Sequence, residues 1–109
     1  MRLKQGDIIK LDFNPAKGHE QAGFRPAVVV SGNIFNQLSS NIIVCPTTNT
    51  DKKYPAHVAL DNRTVTTGFI MCDQVRTVSP EERGARFIEV LPEDILDEVL
   101  DIIKGVLED

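Results

Sequence analysis

The chain is organised around residues 18–31, Gly18-His19-Glu20-Gln21-Ala22-Gly23-Phe24-Arg25-Pro26-Ala27-Val28-Val29-Val30-Ser31. Its first half is a polar loop bracketed by glycines, and its second half is a β-branched run typical of a strand buried on both faces. Because proline disfavours the α region for the preceding residue, Arg25 is expected to be extended and in line with that strand. An arginine fixed where a strand meets a loop suits binding or catalysis, whereas the plainer interpretation is a strand-end arginine reaching to water.

A second apolar run, Ile42-Ile43-Val44-Cys45, predicts another buried strand, and the polar residues Pro46-Thr47-Thr48-Asn49 follow it. If the two strands form an antiparallel hairpin with Ser31 opposite Ile42, the numbers of facing residues add to 73. Arg25 then lies opposite Thr48, with Cβ atoms about 4.5–5.5 Å apart on one face of the sheet. A shift of one residue would separate them onto opposite faces, and the proline near this end of each strand weakens the ladder.

The composition of the 109 residues, 41% of them hydrophobic, predicts one globular domain spanning residues 1–109. No apolar run approaches the ~20 residues of a membrane span, and the N-terminus lacks the apolar stretch of a signal peptide, so a cytoplasmic protein is expected. Cys45 and Cys72 lie in apolar strand contexts and are expected to be buried, reduced thiols.

The formal charge of −4 is unevenly distributed. Residues 92–109 carry seven acids against the one base Lys104, a net charge of −6, while residues 1–91 have a net charge of +2. A positive groove outside the terminal segment is therefore compatible with the acidic total. The bases of this weakly basic part of the chain include Lys17, Arg25, Lys52, Lys53, Arg76 and Arg86, and several of them lining one groove would attract phosphates.

Further short strands are predicted at Ile8–Phe13, His57–Leu60, Gly68–Cys72 and Arg86–Leu91. Residues 32–41 form a long connection in which Ile34, Phe35 and Leu38 have helical spacing, which predicts a short helical turn that caps a barrel.

A C-terminal helix is predicted to begin near Pro92, because proline suits the first helical position and the acids Glu93 and Asp94 suit the positive end of the helix dipole. Its apolar stripe consists of Ile95, Val99, Ile102, Ile103 and Val106, widened by Leu96, Leu100 and Leu107. The sequence thus predicts a mainly β, α+β fold: a small, strongly bent barrel of six or seven strands with a terminal helix.

Few residues of the chain suit chemistry. There are two histidines, and we interpret His57 as a structural residue on a short strand. For His19, beside Glu20 in the glycine-bracketed loop, a functional role and a structural role are equally supported. No group of residues has metal-ligand spacing, and no nucleophile elbow or phosphate-binding loop is present. Arg25, Thr48 and Glu20 remain. A guanidinium and a hydroxyl beside a carboxylate suit a phosphodiester.

These motifs resemble a known family. The stretch from Gly18 to Val30 resembles the N-terminal signature of the MazF/PemK toxins, sequence-selective endoribonucleases of toxin–antitoxin pairs. Pro46-Thr47-Thr48 resembles their second motif, and Thr67-Gly68 with Cys72-Asp73-Gln74-Val75-Arg76-Thr77 resembles their third. The resemblance runs from Gly6 to the final helix.

The resemblance implies an SH3-like, strongly bent barrel, a homodimer, and metal-independent cleavage of single-stranded RNA to a 2′,3′-cyclic phosphate without a cofactor. It implies that Arg25 and Thr48 are catalytic and that Glu20 is the candidate base, with His19 or Arg25 itself as alternatives. Two departures stand out: Phe24 occupies a position where some members have histidine, and Met71 one where others have arginine. Neither side chain transfers protons.

The same resemblance leads to predictions of the RNA-binding residues and of the protein partner. The RNA-binding residues that we predict are Lys17, His19, Thr47, Asn49, Asp73, Gln74, Arg76 and Arg86. The expected protein partner is an antitoxin whose acidic, flexible tail occupies the RNA groove.

Two other functions compete with a ribonuclease. Gyrase-directed toxins share the fold implied here but poison a protein target without catalysis, and they depend on the terminal helix. A plain RNA- or protein-binding barrel should display aromatic residues for stacking, whereas the five phenylalanines of this chain are interpreted as mostly core residues.

Overall fold

The computed structural model describes residues 2–15, 18 and 22–108. Along the described chain, the elements are β1 (Asp7–Asp12), β2 (Phe24–Val29), α1 (Asn33–Leu38), β3 (Ile42–Thr48), β4 (His57–Ala59), β5 (Phe69–Met71), β6 (Arg76–Val78), β7 (Arg86–Val90) and α2 (Glu93–Leu107). A mainly β fold with a C-terminal helix is therefore confirmed.

The strands form one antiparallel sheet in the order β4-β5-β3-β2-β1-β7. Strands β5 and β6 share the same edge of β3: Thr47 and Thr48 pair with β5, whereas Ile42 to Val44 pair with β6. Among the described residues no pairing joins β4 to β7, so the sheet is bent but not closed. Residues 72–75 are a turn between two strands that both border β3, which brings this turn beside the middle of β3.

The sheet is covered by apolar packing on both faces. One cluster contains Leu3, Ile9, Leu11, Phe13, Ala27, Val29, Ile42, Val44, Val78 and Ala85. The other contains Ile8, Val28, Val30, Cys45, Val58, Ile70, Cys72, Leu91, Ile95 and Val99, and α2 packs on it. Because successive strand side chains point to opposite faces, the run Val28 to Val30 supplies both clusters, as the sequence predicts.

The predicted register of β2 and β3 is confirmed over three pairs: Ala27 faces Pro46, Val28 faces Cys45 and Val29 faces Val44. Strand β3 is longer than the sequence predicts, since it continues past Cys45 to Thr48. Thr47 and Thr48 remain extended because they leave β2 and pair with β5 instead.

Helix α2 covers one face of the sheet through the predicted stripe, with Ile95 and Val99 buried. The prediction is wrong for the last turn, where Val106 and Leu107 of the predicted stripe are exposed rather than packed. At its first turn, the Arg63 guanidinium donates to both carboxylate oxygens of Asp94, at 2.8 and 2.9 Å. The acids of the helix face away from the sheet, as predicted.

Helix α1 forms where the sequence predicts a helical turn, but it does not cap the sheet. Ile34, Phe35 and Leu38 are 75%, 41% and 84% exposed, so the predicted packing is wrong. The connection is held by polar contacts instead, because Asn36 donates to the Ser31 carbonyl at 3.1 Å and its side-chain oxygen accepts from the Ser31 hydroxyl.

Cys45 and Cys72 are buried free thiols, in agreement with the sequence. Continuing the pairing of β3 with β5 places them opposite each other. The hydrogen bond with Cys72 and burial together raise the pKa of the Cys45 thiol, so it is a poor nucleophile. No helix in the described residues is long and apolar enough to span a bilayer.

Candidate active site

The candidate site lies where β2 and β3 separate. The pairing of these two strands ends at Ala27 and Pro46. One position further, the Thr47 hydroxyl donates to the Pro26 carbonyl at 3.3 Å. Ala27 and Val44 belong to the same core cluster, so the alternation of side chains puts Arg25 and Thr48 on that same face. The two residues that the sequence pairs by register thus share one end and one face of the sheet.

The hydroxyl of Thr48 is oriented by its own turn. Its oxygen accepts a hydrogen bond from the Thr50 amide at 3.2 Å, and the residue is only 7% exposed. Since the oxygen acts as an acceptor in this contact, the hydroxyl hydrogen remains for donation to another group. A buried, oriented hydroxyl of this kind suits donation to an anionic oxygen.

Gly68 fixes the backbone of Thr48 by close approach. A Cβ at Gly68 would lie 2.2 Å from the Thr48 carbonyl oxygen and 2.7 Å from Asn49 Oδ1, and the φ of Gly68 is +100°. Glycine is required here both by the space and by the backbone conformation. Beside it, the Thr67 hydroxyl donates to Asn49 Oδ1 at 2.9 Å. The loop before β5 therefore determines where the end of β3 lies.

Arg25 is anchored at the start of β2. Its Nε donates to the Ala22 carbonyl at 2.5 Å, two residues after the predicted loop residue Glu20. Gly23, whose φ is +86°, makes the bend that allows this contact. The Gly23 amide donates to Asn14 Oδ1 at 3.1 Å, and its carbonyl accepts from the Phe13 amide at 2.9 Å. The loop ends that flank the site are thus tied to each other.

Arg83 and Arg76 hold the same loop from the other side. Arg83 Nη1 donates to the carbonyl oxygens of Asp12 and Asn14. Arg76 Nη1 donates to the Phe13 carbonyl at 3.3 Å, and its guanidinium lies 5.7 Å from the centre of the Phe13 ring. Arg76, predicted to bind RNA, therefore supports the loop through contacts that sequence spacing does not reveal.

Arg86 lies apart from Arg25. It pairs with Lys10 on β1, and Lys10 also faces Pro26, so these residues alternate onto the face opposite to Arg25. Lys10 Nζ lies 5.5 Å from the centre of the Phe24 ring, which is 47% exposed. The structure brings Arg25, Thr48 and Arg76 to one face, and Lys10, Phe24 and Arg86 to the other.

The aromatic residues correct one part of the sequence analysis. Besides Phe24, the residues Phe35, Phe87 and Tyr54 are between 41% and 51% exposed, whereas Phe13 is buried. The interpretation that the phenylalanines are mostly core residues is therefore wrong. Isolated aromatic residues at strand ends and in short helices carry no periodicity that distinguishes surface from core.

Asp73 and Gln74 occupy the turn between β5 and β6. The Gln74 amide donates to the Met71 carbonyl at 3.1 Å, which closes the turn. The His57 ring reaches the Asp73 carboxylate, with 3.1 Å between Nε2 and Oδ1. The sequence predicts a structural role for His57 and gives no sign of its contact with Asp73, a predicted RNA-binding residue.

A second carboxylate fixes the loop that carries Gly68. Glu89 on β7 accepts hydrogen bonds from the Thr66 amide and hydroxyl, both at 2.8 Å, and from the Val65 amide at 3.1 Å. Burial by itself raises the pKa of Glu89, but the three hydrogen bonds outweigh it and the pKa is lowered. This support connects the far strand of the sheet to the Thr48 region.

Lys17, His19 and Glu20 lie outside the described residues, so their predicted roles stay predictions. Among the residues that the structure describes, no group of three or more histidine, cysteine or acidic side chains has the arrangement of a metal site. Sequence reasoning missed Gly68 as a packing residue, as well as Lys10 and Phe24. Of these, Gly68 alone had a signal, because an isolated glycine before a strand suggests a close backbone approach.

Comparison with known proteins supplies the family. Residues 4–107 match the model of the PemK-like, MazF-like toxins of type II toxin–antitoxin systems. Endoribonuclease PemK of Escherichia coli is 35% identical, over 96% of this chain and 82% of the relative. Endoribonuclease toxin MazF of Escherichia coli K12 is 41% identical, over 73% of this chain and 71% of the relative.

Solved structures agree with the fold. The crystal structure of MazF from Deinococcus radiodurans has a TM-score of 0.92 and 32% identity, and the match covers 98% of this chain and 97% of that chain. A MazE–MazF complex from the same organism has a TM-score of 0.86 and 32% identity, with coverage of 98% and 96%. The chain described here therefore belongs to the PemK-like, MazF-like family of type II toxin–antitoxin toxins.

Proposed function

We propose that this chain is an endoribonuclease that cleaves single-stranded RNA at selected sequences and thereby stops translation and growth. The 2′-OH of the substrate attacks the adjacent phosphorus, and the products carry a 2′,3′-cyclic phosphate and a 5′-OH. No metal or cofactor takes part. The cytoplasm, where messenger RNA is translated, is the proposed place of action.

The observation that carries this proposal is the shared face of Arg25 and Thr48 at the point where β2 and β3 separate. A guanidinium offers several donors in a planar fork, and the Thr48 hydroxyl adds a further donor that is already oriented. The family and the two curated relatives, both named endoribonucleases, support the assignment.

The proposed reaction forms the bond from O2′ to phosphorus and breaks the bond from phosphorus to O5′. Arg25 stabilises the negative charge of the pentacoordinate phosphorus, and Thr48 donates to a non-bridging oxygen. A base takes the proton from O2′, and O5′ gains a proton as it leaves. The candidates for the base are Glu20, His19 and Arg25.

The residues proposed to hold RNA are Thr47, Asn49, Asp73, Gln74, Arg76 and Arg86, with Lys17 and His19 from the loop. The exposed ring of Phe24 adds a surface on which a base can stack, although the Lys10 ammonium already lies over the ring. Because Arg86 is on the face opposite to Arg25, it would contact a more distant part of the strand.

Two partners complete the proposal. The active form is a homodimer, supported by exposed apolar residues such as Phe87 and Val90 on the edge strand β7. An antitoxin with an acidic, flexible tail silences the toxin by competing with RNA, and complexes of MazF with MazE among the solved relatives support such a partner.

The test is primer extension on a long RNA after incubation with the purified chain. Cleavage at a small set of recurring sequences supports the proposal, whereas intact RNA at micromolar protein contradicts it. The same assay distinguishes a non-catalytic toxin that poisons a protein target. Such a toxin would inhibit growth without cleaving RNA and would lose toxicity through changes in α2 rather than at Arg25.

Two controls address the mechanism. Cleavage should persist in excess EDTA, and a 2′-deoxy substitution at the cut nucleotide should block cleavage while leaving RNA binding intact. Restoration of an EDTA-inhibited reaction by magnesium would contradict the proposed chemistry. For the antitoxin, a tail peptide and a non-cleavable RNA should exclude each other from the toxin. A higher salt concentration should weaken the binding of the peptide, because salt screens the attraction between surface charges.

A further inference from the structure

His57 is placed on the functional face of the sheet. It pairs with Met71 across β4 and β5, and Ala59, two residues along, pairs with Phe69, which in turn faces Thr48. Directly paired residues of neighbouring strands point to the same face. His57 therefore shares the face of Thr48 and Arg25, one row of side chains away.

The His57 side chain is buried yet carries a polar contact at its outer end. The side chain is 6% exposed, whereas that of Asp73 is 30% exposed. The ring is held edge-on by Tyr54, with 5.3 Å between ring centres and an angle of 87° between ring planes. The contact between β4 and β5 continues one residue past the His57–Met71 pair, because the Cys72 amide donates to the Ala56 carbonyl at 3.0 Å. The imidazole has little freedom to turn.

The chemistry of the contact assigns the tautomer of the neutral ring. A carboxylate is only an acceptor, so the ring must donate from Nε2 to Asp73. Nδ1 is buried and has no hydrogen-bond partner among the described residues. Leaving a buried nitrogen unsatisfied is costly, so a purely structural role would favour an apolar residue in this position.

Asp73 is suited to contact bases rather than phosphates. Its negative charge repels the RNA backbone, but a carboxylate accepts hydrogen bonds from the amino groups of bases. In the described part of the chain, His57 is the group that hydrogen-bonds this carboxylate, through Oδ1. The second oxygen then serves as an acceptor whose direction is fixed by the buried ring.

We propose that His57 is a positioning residue that orients Asp73 to accept a hydrogen bond from a base amino group near the cleaved bond. The pair thereby sets part of the sequence preference of the enzyme. This inference rests on the proposed ribonuclease function, and the Asp73 carboxylate, not His57, touches the substrate.

The experiment measures relative kcat/KM for a library of RNAs randomised around a cleaved site. His57→Leu fills the space without a donor, His57→Gln keeps an N–H donor, and Asp73→Asn removes the acceptor charge. His57→Leu and Asp73→Asn are expected to reduce the preference at one nucleotide position by about tenfold. His57→Gln should retain most of the preference. The double variant should lose no more than either single variant.

Arg63→Gln is the matched control, because it breaks another side-chain pair, that between Arg63 and Asp94, away from this face. It should lower the melting temperature without changing the preference. If His57→Leu does not fold, His57→Gln and Asp73→Asn carry the test alone, and an unchanged preference in Asp73→Asn overturns the inference.

The remaining outcomes separate the inference from the proposed function. If wild type cleaves and His57→Leu slows all sites equally, His57 is structural and the inference is wrong. If His57→Leu and Asp73→Asn act additively, the two residues work independently and the inference is wrong as well. If wild type cleaves no RNA, the proposed function fails, and this role of His57 fails with it.

Discussion

The two ends of strand β3 are equally buried but built differently. At its beginning, Ile42 and Val44 are apolar, and Val44 pairs with β2 on one side and β6 on the other. At its end, Thr47 and Thr48 are polar, and among the described strands they pair with β5 alone. The first end is held by regular ladders and packing, and the second by single contacts from Pro26, Thr50 and Gly68.

The difference shows how a small sheet can combine stability with chemistry. Buried hydroxyls need partners, and a regular ladder between apolar strands offers none. Separation of β2 from β3 supplies these partners and opens the sheet for a ligand. We therefore expect substitutions at the end of β3 to affect cleavage, and those at its beginning to affect stability.

The largest effect is expected for Arg25→Lys. Lysine keeps the charge but loses the planar fork, so loss of this donor should reduce the cleavage rate by about 10²–10³. Single-turnover cleavage and circular dichroism measure activity and folding in parallel. Arg2→Lys, an exposed arginine, is the control. A folded Arg25→Lys variant with wild-type activity would remove Arg25 from the mechanism.

Thr48→Val should follow, with about a 10–100-fold lower rate. Valine matches threonine in shape but cannot donate to a phosphate oxygen, and a hydrogen bond to a charged oxygen contributes about 1.5–3 kcal/mol, which corresponds to a rate change of this order. Thr77→Val, on the exposed side of β6, should be nearly silent in the same single-turnover assay. Equal rates for the two variants would argue against a role for the Thr48 hydroxyl.

Gly68→Ala should affect both activity and stability. The added Cβ must push the Thr48 carbonyl away, and the positive φ adds strain of about 1–3 kcal/mol. We expect about a tenfold lower cleavage rate in molecules that are folded. Gly84→Ala provides the control, since Gly84 also has a positive φ but no described heavy atom lies within 4 Å of its Cβ position. The idea fails if both variants cleave equally well.

Val44→Ala tests the other end of the strand. Val44 is fully buried between paired strands, so truncation should lower the free energy of unfolding by about 1.5–3 kcal/mol. Cleavage per folded molecule should stay within about twofold of wild type. Urea unfolding and cleavage kinetics measure the two quantities, and Val75→Ala, at a partly exposed turn, should change neither strongly.

The smallest effect concerns Glu89. Its pKa in the folded state is below the ordinary value of 4.5, so the ionised carboxylate stabilises the fold above that pH. This stabilisation should disappear as the pH falls through the lowered folded pKa. The difference in unfolding free energy between wild type and Glu89→Gln should accordingly shrink on acidification. A difference that is constant with pH would contradict the assigned hydrogen bonds.

Local sequence patterns are sufficient to predict six of the seven described strands, all but β6, together with the terminal helix and the register of β2 with β3. These depend on local features: the apolar runs Val28–Val30 and Ile42–Cys45, the stripe of α2, and the period of two that couples register to face. The same local patterns carried the family resemblance, which the comparisons confirmed, and pointed to Arg25 and Thr48.

The contacts that support the site, by contrast, depend on the tertiary structure. The close approach of Gly68 to Thr48, the contact of His57 with Asp73, and the inward position of Arg76 against Phe13 join residues far apart in the sequence. Periodicity states which face a side chain occupies, but not which distant partner meets it there. That choice depends on which strands pair and where they separate, because such contacts form only when the whole sheet is assembled.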